Sequence, residues 1–147
     1  MTGHHLAQLN IAKMKFAIDA PDLADFVARL EAVNTLADES PGFVWRLKTD
    51  EGDATAIDHF GADYLVNMSV WRDVDSLHRY VYRSAHNEVM AQRKLWFDRM
   101  LEAYSVLWWI PAGTVPTIAQ ADDRLQRLRQ SGPTAEAFTF KQIFATV

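Results

Sequence analysis

One histidine in the second half of the chain is well suited to acid–base chemistry. His86 follows Tyr82, Arg83 and Ser84, where a long helical pattern is expected to restart. An unperturbed imidazole titrates near neutral pH, so a neutral His86 could act as a general base or bind a metal or haem iron. The alternative is a histidine that hydrogen-bonds to the backbone and holds the break in the helix in place.

Two neighbours of His86 and a group of tryptophans could contact a ligand. Tyr82 and Arg83 suit an anionic group, although Arg83 could equally pair with a carboxylate across a dimer. Trp45, Trp108 and Trp109 would suit a flat organic molecule, or could be ordinary core or interface residues. Because successive strand residues point in opposite directions, at most one of Trp108 and Trp109 faces a shared cavity.

Four polar side chains alternate along two predicted strands. Gln8 and Asn10 lie on the first, and Asn67 and Ser69 on a later one. Burying an amide or hydroxyl among apolar groups costs a few kcal/mol unless a hydrogen-bonding partner meets it. A cavity that holds a polar ligand would satisfy these groups.

Several kinds of chemistry have no support in the sequence. The chain has no cysteine, which excludes thiolate catalysis, iron–sulfur clusters, disulfides and Cys-based zinc sites. The five histidines lack metal-binding spacing, and the six glycines match neither a P-loop nor a dinucleotide fingerprint. No Gly-x-Ser-x-Gly motif supports serine hydrolysis. We therefore expect no dedicated metal site.

Composition and charge narrow the class of protein. The 147 residues are 49% hydrophobic, enough for one core in one domain. A net charge of −4 at pH 7 argues against nucleic acid as a partner. No apolar run approaches the roughly 18 residues that a membrane span needs, and no secretion signal is evident. We expect a cytoplasmic protein with no membrane partner.

The residue periodicity predicts four strands and three helices. Strands are expected at 6–13, 43–48, 64–71 and 105–110, with helices over 19–39 and 73–100, the second broken near 83–86. Thr117 and Gln120 have the spacing of a capping box, and a third helix follows them and ends at Gly132. Three phenylalanines are expected to anchor an extended C-terminus to the body, and these are Phe138, Phe140 and Phe144.

This order predicts an α+β, ferredoxin-like βαββαβ domain. One domain spans 1–147, with a core of about 4–113 and a C-terminal helical extension over 114–147. Two helices cover one face of the sheet, and the second face would carry much apolar area besides the four polar groups. The large apolar residues expected there are Trp45, Leu47, Leu65, Trp71 and one of Trp108 or Trp109. A second copy of the chain, a ligand, or both must therefore cover that face.

Four blocks of the sequence resemble a bacterial family, domain of unknown function 3291 (DUF3291). They are residues 5–12 (HLAQLNIA), 40–47 (SPGFVWRL), 81–86 (VYRSAH) with Trp96-Phe97, and 107–113 (LWWIPAG). That family is similar to the dimeric α/β-barrel superfamily, which includes antibiotic-biosynthesis monooxygenases and haem-degrading enzymes. The resemblance implies a homodimer with two sheets face to face.

The resemblance also implies roles for three residues. Haem-degrading members of the superfamily use an Asn on the first strand, a Trp near the end of the third and a His on the second helix. Cofactor-independent monooxygenases use similar Asn and Trp positions. Asn10, Trp71 and His86 match these elements and residue types. For Asn10 and Trp71 the alternative is ordinary packing in a dimer interface, where the Asn10 amide has a hydrogen-bonding partner.

Three functional hypotheses remain open. The first is a cofactor-independent, monooxygenase-like enzyme for a small aromatic or phenolic compound, with His86 as base, Asn10 orienting the substrate or oxygen, and Trp71 as a wall. The second is a haem-binding or haem-degrading protein with His86 as axial ligand. The third is a non-catalytic dimeric ligand-binding module. The candidate substrate-binding residues are Trp45, Asn67, Ser69, Tyr82, Arg83 and Trp109.

Overall fold

The chain forms a four-stranded antiparallel sheet with helices on both faces. A computed structural model describes residues 3–16, 20–48, 59–61, 63–83, 96–98 and 102–145. The strands are β1 (His4–Lys13), β2 (Phe43–Arg46), β3 (Tyr64–Trp71) and β4 (Ser105–Pro111), and the helices are α1 (Ala24–Glu39), α2 (Val74–Arg83) and α3 (Ile118–Ser131). The sheet order β2-β3-β1-β4 is that of a ferredoxin-like βαββαβ fold, as predicted.

The register of β1 divides the sheet into two faces. Gln8 lies opposite Ser69 of β3 and Leu107 of β4, and each adjacent position on these strands points the other way. We call the face that carries Gln8 the α1/α2 face, because α1 and α2 pack on it. Its buried side chains include Leu6, Trp71 and Leu107 from the sheet, Val33 and Ala37 from α1, and Leu77 and Tyr80 from α2.

The second face, which we call the α3 face, is covered by the chain's own C-terminal helix. Ala121, Leu125 and Leu128 of α3 pack on the apolar residues of three strands, among them Leu9 and Trp108. All five of these side chains are buried. The expectation that this face is open to a second copy is therefore wrong. The stripe of α3 is amphipathic, and the nearest apolar surface it can bury is the sheet beside it.

A loop contact closes the α3 face further. His59, which precedes β3, lies with its Nε2 3.1 Å from the Asp122 Oδ2 of α3. Phe60 beside it packs against the same core as α3. The loop and the helix thus meet over the sheet.

The polar groups lie on the opposite face from the one expected. Gln8, Asn10, Asn67 and Ser69 share the α1/α2 face. So does Trp71, whereas Trp45 packs on the α3 face. The prediction that amides and tryptophans share the face away from the first two helices is wrong.

A β-bulge in β2 explains part of that error. Phe43 pairs with Trp71, but Trp45 pairs with Val70, so the register shifts between them. An extra residue breaks the two-residue alternation, and Phe43 and Trp45 therefore point to opposite faces. Strict alternation would place them on the same face.

Side chains cap the first turns of α3 and α2. The Thr117 side chain accepts from Gln120 N, and the Gln120 side chain accepts from Thr117 N, so the predicted capping box is confirmed. At the start of α2, Asp73 Oδ1 accepts from both the backbone N and the hydroxyl of Ser76, at 2.8 and 2.7 Å. Gly42 turns beside this cap with a φ of +85°, and a Cβ there would lie 2.1 Å from Ser76 Oγ.

The C-terminal segment continues the sheet beyond β4. Leu107 N donates to Phe138 O at 2.7 Å, and Phe138 N donates to Leu107 O at 2.9 Å. Phe138 is fully buried, and Phe140 and Phe144 pack against the same cluster on the α1/α2 face. The predicted phenylalanine anchors are confirmed. The extension therefore crosses the β4 edge, with α3 on one face and the phenylalanines on the other.

The helix predicted over 73–100 does not reach its expected end, because Phe97 forms a β-bridge with Met14 and Asp98 N donates to Lys13 O. α2 ends at Arg83 in the described residues, and the predicted break at 83–86 extends beyond them. Within the described part of the chain, no helix combines the length and hydropathy needed to cross a bilayer.

Candidate functional site

A cavity of about 390 Å³ lies between the α1/α2 face, α2 and the C-terminal segment. Its volume is in the range of small-molecule sites, which occupy about 300–1,000 Å³. The floor is polar and comprises Gln8, Asn10, Asn67, Ser69 and Ser105. The walls and rim comprise Leu77, Tyr80, Val81, Ala103, Tyr104, Leu107, Thr139, Phe140 and Lys141.

The floor contains a chain of hydrogen bonds. Trp71 Nε1 donates to Ser69 Oγ at 2.8 Å. Gln8 Nε2 lies 2.8 Å from the same oxygen and 2.6 Å from Asn67 Oδ1. The pairing of Gln8 with Ser69 across β1 and β3 brings these groups together. Trp71 itself has no exposed surface, so it acts on the cavity through Ser69.

Asn10 contributes an amide to the same floor. It sits directly opposite Asn67 in the sheet and is half-buried. Within the described residues its side chain makes no hydrogen bond, in contrast to Gln8. An amide turned into a partly buried cavity is stabilised by a polar partner. Asn10 is thus a group that a ligand or water can satisfy.

Tyr80 forms the wall on the α2 side. Its ring stacks on Trp71 with centroids 5.1 Å apart, and its hydroxyl donates to Val33 O at 3.1 Å. Burial raises the pKa of the Tyr80 hydroxyl well above its usual value. The group is therefore neutral at pH 7 and serves as a hydrogen-bond donor to the backbone rather than as a base.

The charge at the cavity comes from the C-terminal segment. Among the lining residues that the structure describes, Lys141 is the cation and none is a carboxylate. The lining is otherwise neutral and largely apolar, with Leu107 and Phe140 beside the polar floor. The cavity therefore favours neutral or anionic molecules over cations.

The predicted site residues divide into three groups. Asn10, Asn67 and Ser69 line the cavity. Trp71 lies beneath the floor of the cavity. Trp45 and Trp109 do not line it, since Trp45 packs in the core of the α3 face and Trp109 Nε1 donates to Phe144 O at 2.8 Å. His86 lies outside the described residues, and so do the side chains of Tyr82 and Arg83.

Some lining residues were not singled out by the sequence. Tyr80 falls three residues after Leu77 on the helical stripe of α2, a spacing that could have marked it. Thr139, Phe140 and Lys141 enter the cavity because the C-terminal segment runs back along β4. No periodicity signals that path.

A second depression lies on the other side of the molecule. It has a volume of about 500 Å³ and is bordered by Trp108, Trp109 and the first turns of α3, including Gln120 and Arg124. It lacks the amide-lined floor of the first cavity. Among the described residues, no three His, Cys, Asp or Glu side chains are grouped to hold a metal ion.

The predicted axial ligand of haem, His86, lies outside the described residues, and the described lining offers few other ligands for haem iron. Haem proteins supply an imidazole, thiolate, thioether or phenolate to the iron. The described lining has no histidine, cysteine or methionine, and of its two tyrosines, Tyr80 and Tyr104, Tyr80 donates its buried hydroxyl to Val33 O. Haem binding through His86 stays a prediction.

The fold and the cavity together define a ferredoxin-like α+β protein whose polar-floored cavity is built within one chain. The chain belongs to the family described as Domain of unknown function (DUF3291), which matches residues 5–147. No curated protein matches the sequence.

The chain is also similar to solved structures. One is a protein of unknown function from Nitrosomonas europaea, with 14% identity over 78% of this chain and 96% of that chain, at a TM-score of 0.48. Another is SnoaB, a cofactor-independent oxygenase from Streptomyces nogalater. A variant of SnoaB gives 18% identity over 76% of this chain and 95% of that chain, at a TM-score of 0.45. A second SnoaB structure gives 15% identity over 79% and 98%, at a TM-score of 0.44.

Proposed function

We propose that this protein binds a small, flat organic molecule with a hydroxyl group in the cavity beside α2, and that it oxidises this molecule with O₂ without a cofactor. The observation that carries the proposal is the polar floor, where amides and hydroxyls lie beside apolar wall residues such as Leu77, Leu107 and Phe140. Such a pairing holds an aromatic body between apolar walls and orients one polar atom.

The reaction is the monooxygenation of a hydroxyarene to a quinone. The hydroxyl loses its proton to a base, and the resulting anion supplies electrons from the ring. A ring carbon then forms a bond to O₂, the O–O bond breaks, and the second oxygen leaves as water with two hydrogens from the substrate. One hydroxyarene and one O₂ give one quinone and one water, so the substrate is the only reductant.

The residues have distinct roles in this proposal. His86 is the base, because imidazole accepts a proton near neutral pH. Asn10 orients the substrate oxygen or the oxygen adduct through its unengaged amide. Trp71 is a positioning residue, because it is buried beneath the cavity and reaches it through Ser69 and the stacked ring of Tyr80.

Oxygen uptake with 1-naphthol, in metal-free buffer, tests the reaction. We expect uptake with formation of 1,4-naphthoquinone, and a loss of about 10²-fold or more in His86→Ala, the scale of general base catalysis. Asn10→Ala should also lose activity. The matched controls are His4→Ala and Asn34→Ala, both outside the cavity lining, which should retain it.

Two outcomes would point elsewhere. Binding of 1-naphthol without oxygen uptake would favour the non-catalytic ligand-binding module. A Soret band in purified protein that is lost in His86→Ala would favour haem binding. A homodimer stays a prediction, and with α3 in place it would have to use a surface other than the α3 face.

A further inference from the structure

The hydrogen-bond chain under the cavity has one fixed end. An indole N–H can donate but not accept, and Trp71 is fully buried, so Ser69 Oγ always accepts from Trp71. Beyond that bond, the Ser69 hydroxyl and the Gln8 and Asn67 amides can each donate or accept. The rest of the chain can therefore run in either of two directions.

In the first direction, the Gln8 NH₂ group donates. Its two hydrogens go to Ser69 Oγ and Asn67 Oδ1, at 2.8 and 2.6 Å. The carbonyl oxygen of Gln8 is then left to accept from a ligand. A ligand hydroxyl meets this need.

In the second direction, the Gln8 carbonyl oxygen occupies the same central place. The Ser69 hydroxyl and the Asn67 NH₂ donate to it, and the Gln8 NH₂ is left to donate to a ligand. The change needs only half-turns of the two amides, whose terminal torsions are broad and two-fold. Asn67 is exposed, so its half-turn displaces no packed side chain.

We infer that this reversible chain lets the cavity bind both the hydroxyl and the carbonyl form of one ligand, with Gln8 as the specificity-determining residue. A phenolic O–H needs an acceptor and a quinone C=O needs a donor, and the Gln8 amide supplies either. A Gln8 amide of fixed direction would leave one polar group unpaired against one of the two forms. The inference rests on the proposed function, since it concerns the same cavity, and it names a ligand class: hydroxyarenes together with their quinones.

Calorimetric binding without oxygen tests the inference. The probes are 1-naphthol and 1,4-naphthoquinone, and the chain has no thiol that a quinone could modify. We expect wild-type dissociation constants for the two probes within about tenfold of each other. Gln8→Glu places a carboxylate that only accepts, so it should keep 1-naphthol and weaken the quinone by about tenfold or more.

Two further variants keep the test decisive. Gln8→Met preserves volume but neither donates nor accepts in this way, so both probes should weaken together. Gln120→Glu makes the same charge change on α3 and should alter neither. Binding of only one probe to wild type, or a Gln8→Met protein that binds both as wild type does, overturns this inference alone. Failure of both probes to bind wild type overturns the proposed function itself.

Discussion

Trp71 and Tyr80 stack with ring centroids 5.1 Å apart and planes inclined by 26°. The pair joins the floor of the cavity to its α2 wall, since Trp71 holds Ser69 and Tyr80 holds the backbone of α1 at Val33. Two side chains thus fix the position of α2 over the sheet. The shape of the cavity depends on both.

Replacing Trp71 tests this link. Trp71→Phe removes the indole donor to Ser69 and part of the buried ring, and we expect a loss of about 1–3 kcal/mol in the free energy of unfolding. Affinity for 1-naphthol should also fall, because Ser69 is no longer held. Trp108→Phe, equally buried on the α3 face, should lose stability with unchanged affinity. Urea unfolding and calorimetry give both values, and equal affinity losses in the two variants would contradict the link.

The Tyr80 hydroxyl should affect stability in alkali. Its folded-state pKa is raised by burial, so its contribution is full below the ordinary tyrosine pKa of about 10 and declines as the pH rises further. Tyr80→Phe should cost about 1 kcal/mol at pH 7 through the bond to Val33, and this difference should narrow above pH 10. Thermal unfolding between pH 7 and 11, with Tyr64→Phe as control, measures this difference in stability. A difference that widens in alkali would be inconsistent with a neutral buried hydroxyl.

The cap of α2 predicts the opposite pH dependence. Hydrogen bonding from the Ser76 hydroxyl holds the pKa of the Asp73 carboxyl below its usual value. Its stabilisation is therefore complete above the ordinary carboxyl pKa of about 4 and is lost as the pH falls through the lower folded-state pKa. Asp73→Ala should cost about 0.5–2 kcal/mol at pH 7. Asp75→Ala, in the same turn, should cost less. A difference between the two variants that does not narrow as the pH falls below the ordinary carboxyl pKa would argue against the cap.

Helix α3 should be necessary to keep the sheet covered. Leu125 is fully buried against the α3 face, so Leu125→Asp should undock the helix and expose an apolar surface. We expect dye binding and self-association on a sizing column. Gln130→Asp, exposed on the same helix, should behave as wild type. A Leu125→Asp protein that remains compact, with no dye binding, would show that α3 is not the required cover.

The sequence predicted the helices and strands better than the surfaces against which they pack. Strand β3 and the capping box of α3 carry local signals, in alternation and in a Thr–Gln spacing, and both were predicted closely. The docking of α3 depends on contacts distant in sequence, so its stripe could be recognised without revealing which surface it buries. The bulge between Phe43 and Trp45 also has no periodic signal.

The polar floor was predictable for a different reason. Asn10, Asn67 and Ser69 stand at alternate positions in otherwise apolar strands, and such groups need partners wherever the strands pack. The alternation of polar residues therefore predicted a cavity floor, but it did not reveal on which face of the sheet that floor lies. Lys141 could not be found in this way, because its place follows from the return of the C-terminal segment beside β4.

The most direct test of the account is the location of a bound hydroxyarene. Side-chain amide resonances of isotopically labelled protein can be followed by NMR during titration with 1-naphthol under nitrogen. We expect the Gln8, Asn10 and Asn67 resonances to shift together, while that of Gln120, beside the second depression, does not move. Shifts at Gln120 with an unperturbed Gln8, Asn10 and Asn67 would contradict this expectation.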